Sequence, residues 1–182
     1  MVQTSSMVGV MQKALISAVL LALSVESYAG APSLRPYESY TINCVLQAAN
    51  EYQVPGNVLL AIGSVEGGKE GTARRNENGT YDLGVFQINT AHWRSGGIMS
   101  QAGISQLDIR DNGCYSARVA AWLIRSRVDE SKGKKSYWTA VADYHSKTPK
   151  HNARYRKKLV SYSISWGKWM EKNTNAQKVV VY

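Results

Sequence analysis

An apolar segment that ends in a carboxylate places the strongest constraint on how this chain can fold. Between positions 58 and 65 the apolar residues recur at the spacing that buries one face of a helix: Val58, Leu59, Ala61, Ile62 and Val65. Pro55-Gly56 precedes the segment, and Asn57 is expected to cap the helix. Glu66 follows directly before Gly67-Gly68, where a helix is expected to end. The sequence therefore predicts an acidic side chain at the end of a buried helix.

A β-hairpin is predicted after this helix. It spans roughly positions 72–88, and Asn78-Gly79 is a turn signal within it. Asp82 lies on the returning strand, sixteen positions after Glu66, so it could face that residue across a groove. Two facing carboxylates are suited to acid and nucleophile roles on a glycosidic bond. The alternative is that Asp82 is a turn aspartate that binds nearby backbone amides.

Glu66 is the candidate catalytic acid. A carboxylic acid protonates a leaving oxygen near neutral pH only if its pKa is raised. The apolar neighbours on its helix and the negative end of the helix dipole would both raise the pKa of Glu66. Glu70 and Glu77 are competitors, but both lie in polar surroundings where we expect nothing to hold them. The alternative is that Glu66 is an exposed glutamate in the last turn of a helix.

The remaining sequence predicts one mainly helical domain. The chain has 182 residues and is 44% apolar, which allows a sizeable core and argues against disorder. Further helices are expected over about residues 37–52, 98–107, 113–128, 137–144 and 152–170. The tail after Lys172 has no clear period, although Val179–Tyr182 could add an edge strand.

Residues 1–29 are interpreted as a secretory signal peptide. Lys13 precedes an apolar run over 14–25, and small residues follow at Ser27 and Ala29. Cleavage is expected after Ala29, with position 31 as the second choice; the alternative is an uncleaved anchor or a buried helix. The run is short for a membrane span, and no other stretch could cross a membrane. The protein is therefore expected in the periplasm or outside the cell, without a membrane span after cleavage.

The two cysteines, Cys44 and Cys114, are expected to pair. An oxidising compartment favours a disulfide between them, and the alternative is two buried thiols. A metal site is not expected, because the three histidines show no ligand spacing with either cysteine: His92, His145 and His151.

Several ordered motifs resemble the lytic transglycosylases of the SLT type. Glu66 followed by Gly-Val-Phe-Gln-Ile-Asn at 84–89 resembles the Glu…GLMQI signature of that family. Residues 44–60 and 112–123 are similar to the opening and central helices of the small members that accompany secretion and conjugation machines, in which the two cysteines often pair. Residues 140–146 resemble the family's A-x-x-x-YN[AS] segment. The resemblance implies a lysozyme-like fold, mainly α with a small β-hairpin region beside the cleft. It also implies a transglycosylase domain over 37–162, with the end of the last helix and a tail over 163–182.

The hairpin also resembles that of chicken-type lysozyme. Over residues 76–89 the match places Asp82 at the position of that enzyme's second carboxylate. Three residues are carried over as substrate-binding cleft residues: Gln87, Asn89 and Tyr144. For Gln87 and Tyr144 the alternative role is structural. The chain departs from the SLT pattern at three positions, where it has Gly67, Phe86 and His145 in place of serine, methionine and asparagine.

The resemblance implies cleavage of peptidoglycan between N-acetylmuramic acid and N-acetylglucosamine. Glu66 alone would protonate the bridging oxygen and then withdraw the proton of the muramyl C6 hydroxyl, which gives 1,6-anhydromuramyl ends without a cofactor or metal. Two alternatives are open: a hydrolytic muramidase that uses both Glu66 and Asp82, and a non-catalytic wall-binding module. The implied role is local wall opening for a type III or type IV secretion, pilus or conjugation apparatus.

The charge of the chain predicts an anionic partner. The formal net charge is +9, and basic residues are frequent over 147–158. This run is either a solvated helix face or a surface that attracts acidic peptidoglycan or another anionic partner. Nucleic acid is not expected as a partner, because the chain carries a secretory signal pattern and lacks a base-reading motif.

Overall fold

The structure, a computed structural model, describes residues 30–34, 36–38 and 40–173. Within these residues the chain forms seven α-helices, one 3-10 helix and three short β-strands. In chain order the elements are α1 (Ile42–Glu51), α2 (Gly56–Glu66), β1 (Ala73–Arg75), β2 (Tyr81–Leu83), β3 (Ile88–Asn89), the 3-10 helix (Thr90–Trp93), α3 (Ile98–Gln101), α4 (Gln106–Asp111), α5 (Gly113–Glu130), α6 (Tyr137–Ala142) and α7 (Pro149–Asn173). The prediction of a mainly helical protein with a small β-region is confirmed.

Helix α2 lies at the centre of the core. Helices α1, α5 and α7 all pack against it, and every residue from Gly56 to Gly63 is buried. The predicted buried helix is therefore confirmed. Its burial extends beyond the one face that the apolar spacing indicated, because an apolar helix packed among other helices leaves little surface exposed.

Asn57 does not cap α2 as predicted. The helix begins after Pro55, which makes no side-chain capping bond. The Asn57 amide is buried and donates a 3.1 Å hydrogen bond to the backbone oxygen of Ser163 on α7. Asn57 is thus a polar contact between the two helices, because a buried amide without a partner would be costly.

The predicted hairpin is part of a three-stranded antiparallel sheet in the order β1-β2-β3. Asp82 on β2 is paired with Arg74 on one side and with Asn89 on the other. The third strand forms because the chain reverses tightly after β2, where Gly84 and Gln87 both adopt positive φ angles, of 61° and 50°. The reversal places the side chains of Arg74, Asp82 and Asn89 next to one another on the sheet.

The expected disulfide joins α1 to the first turn of α5. Cys44 and Cys114 have a Cα–Cα distance of 5.6 Å. The segment over 30–34 lies beside this junction, where Arg118 on α5 donates to the backbone oxygen of Ser33 at 2.8 Å and also pairs with Glu51 of α1. Residues 30–34 are therefore held against the helical core.

Some helix boundaries differ from the sequence predictions. The first helix begins at Ile42 because Thr41 accepts a hydrogen bond from the Cys44 amide. The helix expected over 98–107 is two short helices, separated at Gly103 by a positive φ of 66°. The last helix is longer than expected and runs unbroken across position 162.

The proposed signal peptide over 1–29 and the proposed edge strand over 179–182 lie outside the described residues. No helix in the described part of the chain is both long enough and apolar enough to span a membrane.

Candidate active site

Glu66 is the last residue of α2 and points into a groove between the helices and the sheet. The helix ends there because Gly67 adopts the left-handed conformation, with φ 61°, and its amide still donates to Gly63 at 2.9 Å. The Tyr155 hydroxyl of α7, 89 positions later in the chain, donates a 2.7 Å hydrogen bond to Oε1 of Glu66. The carboxyl group is therefore fixed from two helices.

Burial raises the pKa of Glu66 to about 7. The hydrogen bond from Tyr155 and the charge of Arg74 lower the pKa of Glu66, while the charge of Asp82 raises it. Because the effect of burial is the largest, protonated and ionised forms are both well populated near neutral pH. A carboxyl group in this state can donate a proton and later accept one.

Asp82 lines the same groove, and both of its oxygens are engaged. Its Oδ1 accepts from Nδ2 of Asn89 at 2.7 Å, and its Oδ2 accepts from Nη2 of Arg74 at 3.2 Å. The side chain of Asp82 is 14% exposed. Asp82 therefore faces the groove from a strand, and its partners are side chains of its own sheet rather than the backbone amides expected of a turn aspartate.

The predicted cleft residues Gln87, Asn89 and Tyr144 all line this groove. Gln87 and Tyr144 also brace the turn that follows β2. Gln87 donates to the backbone oxygen of Gly84 at 2.8 Å, and the Tyr144 hydroxyl donates to that of Phe86 at 2.8 Å. Asn89 caps the 3-10 helix by accepting from the Ala91 amide at 2.8 Å. Their positions fit substrate contact, and their hydrogen bonds fit the structural alternative as well.

The groove has two halves that meet at Glu66. The first half has a volume of about 260 Å³ and lies against the sheet. The second has a volume of about 250 Å³ and lies against α7. Glu66, Arg74 and His145 line both halves. A carboxyl group that borders both halves of a groove could contact a polymeric substrate on both sides of one bond.

These features agree with a comparison against known protein families. The profile described as the transglycosylase SLT domain matches residues 43–163, which is more than half of the chain. The chain belongs to the SLT transglycosylase family. The predicted lysozyme-like fold and the predicted lytic transglycosylase activity are thereby confirmed, and peptidoglycan is the substrate that fits such a domain.

Individual relatives match this SLT transglycosylase over about the same number of residues. Invasion protein IagB of Salmonella typhimurium is 32% identical over 122 residues, which is 64% of this chain and 72% of that protein. The protein of the same name in Salmonella typhi matches to the same extent. Protein IpgF of Shigella flexneri is 28% identical over 118 residues, which is 64% of this chain and 73% of that protein.

Two site residues of this SLT transglycosylase were missed from the sequence. Tyr155 binds the candidate acid, and its ring stacks on His145 with a centroid distance of 4.6 Å and an interplanar angle of 4°. Arg74 pairs with Asp82 and lines both halves of the groove. The spacing of Tyr155 on α7 relative to its basic neighbours could have indicated a shared face, but nothing local indicated what that face meets.

The competing glutamates lie away from this groove. Glu77 is exposed, as expected. The expectation that nothing holds Glu70 was wrong, since its Oε1 accepts a 2.7 Å hydrogen bond from the Gly113 amide at the start of α5. A carboxylate there is favoured by the positive end of the helix dipole, so Glu70 is a structural cap. Across the described ranges, no group of three or more His, Cys, Asp and Glu side chains could hold a metal ion.

Proposed function

We propose that this protein cuts the bond between N-acetylmuramic acid and N-acetylglucosamine with Glu66 as its only catalytic residue, and leaves 1,6-anhydromuramyl ends. The observation that carries the proposal is the state of Glu66, a fixed carboxyl group midway along a groove with a pKa of about 7. The two proton transfers of the reaction require a group that can serve as acid and then as base at one pH.

In the first step the protonated Glu66 donates its proton to the bridging oxygen. The bond between that oxygen and C1 of the muramyl sugar breaks, and the N-acetylglucosamine side leaves with a free hydroxyl. In the second step the ionised Glu66 accepts the proton of the muramyl C6 hydroxyl while the C6 oxygen bonds to C1 of the same sugar. Glu66 is protonated again at the end, and no water is consumed.

The environment of Asp82 supports a single-carboxylate mechanism. Both oxygens of Asp82 accept hydrogen bonds, from Asn89 and Arg74, and these bonds lower the nucleophilicity of the carboxylate and hold it against the sheet. The hydrolytic alternative is favoured by one observation, which is that Asp82 lines the same half of the groove as Glu66. In that scheme water would complete the reaction and leave a reducing end.

The two schemes differ in the sugar ends they release. Purified protein without residues 1–29 is incubated with sacculi, and the soluble products are identified by mass spectrometry. We expect anhydromuramyl ends from the wild type and none from Glu66→Gln. Glu77→Gln is the matched control, because it removes the same charge at an exposed position outside the groove, and it should behave as the wild type. Reducing ends from the wild type would contradict the proposal, and full activity of Glu66→Gln would remove its basis.

The proposal extends to location and role. The signal-peptide pattern and the disulfide support export to the periplasm or beyond. The name of one relative, invasion protein IagB, supports a role in opening the wall locally for a secretion or conjugation apparatus. Detection of the processed protein in a periplasmic fraction, beginning at residue 30 or 32, would test the first point. The second point is tested in a strain that lacks this protein. An assembly defect there that the wild type rescues and Glu66→Gln does not would support the role and would argue against a purely non-catalytic module.

A further inference from the structure

One face of α7 presents basic side chains to the half of the groove that lies away from the sheet. Four residues at positions i, i+3, i+4 and i+7 line this half: His151, Arg154, Tyr155 and Lys158. Such spacing places them on one side of a helix. Tyr155, in the middle of the set, is the residue that binds Glu66. The basic groups therefore flank the hydrogen-bond partner of the catalytic acid.

The charge in this half of the groove is strongly positive. Arg74, Arg154 and Lys158 are permanent cations there, and Glu66 is the single carboxyl group among the lining residues. Arg74 is paired with Asp82. Within the described part of the chain, Arg154 and Lys158 form no ion pair, so their charges are available to a ligand. An anion that binds between two such like-charged side chains would relieve their mutual repulsion.

Other basic residues of the 147–158 run do not share this position. Arg156 points to the opposite side and donates a 2.6 Å hydrogen bond to Thr139 on α6. Lys150 and Lys157 are exposed and do not line the groove. The run therefore contains two kinds of residue, and only Arg154 and Lys158 combine a permanent charge with a place beside the acid.

We propose that this half of the groove, defined by Arg154 and Lys158, is a subsite for carboxylate groups of the peptide attached to the muramyl sugar next to the bond being cut. The inference rests on the proposed function, since that function places a muramyl residue at Glu66. The sugars themselves are uncharged, apart from a lactyl carboxylate that is exposed only when the peptide is absent. Arginine and lysine together suit short acidic peptides, because arginine binds a carboxylate through two parallel hydrogen bonds.

The test compares binding to three forms of the same sacculi. The first carries its peptides, the second has had its peptide carboxylates amidated, and the third has had its peptides removed by an amidase. Binding is measured by co-sedimentation in a Glu66→Gln background so that the strands stay intact, and the result is independent of which sugar ends the active enzyme makes. The groove variant is Arg154→Ala/Lys158→Ala. The matched control is Lys150→Ala/Lys157→Ala, which removes the same two charges from the same helix.

We expect the Glu66→Gln protein that keeps Arg154 and Lys158 to bind peptide-bearing sacculi about tenfold more tightly than amidated sacculi at low ionic strength, with the difference shrinking as salt is added. In the groove variant this ratio should fall close to one, and in the control it should stay about tenfold. Both variants change exposed side chains, so the core stays filled. Equal losses in the groove variant and the control would overturn the proposal in favour of general attraction to a basic surface. Equally tight binding to strands without peptides would overturn it in favour of the lactyl carboxylate.

Discussion

The hydroxyl of Tyr155 on α7 lies 2.7 Å from Oε1 of Glu66 on α2, although the two residues are 89 positions apart. The helices that carry them pack along each other through the core, and the Asn57 amide of α2 bonds to Ser163 of α7 further along the same contact. The position of the Glu66 carboxyl group is therefore determined by helix–helix packing as much as by the end of its own helix.

Removing the Tyr155 hydroxyl should raise the pKa of Glu66, because this hydrogen bond favours the ionised carboxylate. We expect the alkaline limb of the pH–activity profile of Tyr155→Phe to move to higher pH. Activity at the optimum should fall about ten- to a hundredfold, since the carboxyl group loses one of its two supports. Tyr162→Phe, an exposed tyrosine on the same helix, is the control and should leave the profile unchanged. A lower rate without a shifted limb would contradict the assigned role.

Replacing Asp82 should shift the same limb in the opposite direction. The negative charge of Asp82 raises the pKa of Glu66, and its removal also releases Arg74, whose charge lowers that pKa. In Asp82→Asn the alkaline limb should therefore move to lower pH, measured as kcat/KM against pH. Activity below the limb should stay within about tenfold of the wild type, whereas loss of a nucleophile costs on the order of 10⁴-fold or more. A loss of that larger size would favour the hydrolytic mechanism.

Glu66 should make the fold less stable as the pH rises. Its pKa in the folded state, about 7, lies above the ordinary value of 4.5, so its contribution to stability is complete below about pH 4.5 and is lost as the pH rises through 7. We expect Glu66→Gln to be more stable than the wild type by roughly 2 kcal/mol at pH 8, a figure reduced for the partial exposure of the side chain. The difference should be small at pH 4. Urea unfolding at the two pH values measures it, with Glu77→Gln as the control that shows no pH-dependent gain.

The two glycines after Glu66 should differ in their tolerance of alanine. A Cβ atom at Gly68 would collide with the backbone oxygen of Gly84 and come within 2.6 Å of Nε2 of Gln87, whereas one at Gly67 would meet nothing. Gly67→Ala should cost about 1 kcal/mol for its left-handed backbone. Gly68→Ala should cost roughly 3 kcal/mol or more and distort the groove. Equal unfolding free energies for the two variants would show that the sheet can retreat from α2.

Two features that were predicted correctly from the sequence depend on neighbouring residues. The end of α2 at Glu66 follows from Gly67, and the turn over 76–80 follows from the Asn78-Gly79 pair. The features that were missed depend on distant packing. Tyr155 comes to Glu66, and Asn57 turns from a cap into a contact with Ser163, only because α7 lies along α2. No local sequence pattern specifies which helices will pack against each other.

The family resemblance was sufficient to name three of the groove residues but not to assign their partners. Gln87, Asn89 and Tyr144 came from a family resemblance, and all three reach the groove. The pairing of Arg74 with Asp82 depends on the register of a short antiparallel sheet, which turn signals alone leave undetermined. The rotational position of α7 determines which residues of the basic run face the groove and which face outward, and the sequence did not give that position.

Because α7 is one uninterrupted helix from Pro149 to Asn173, insertions and deletions within it carry a geometric penalty. Each added residue would rotate everything downstream by about 100°. A single codon gained between Tyr155 and Ser163 would leave the tyrosine at Glu66 but carry the oxygen that Asn57 binds to another side of the helix. Insertions and deletions should therefore be confined to the loops, while α7 tolerates replacement of its residues but not a change in their number.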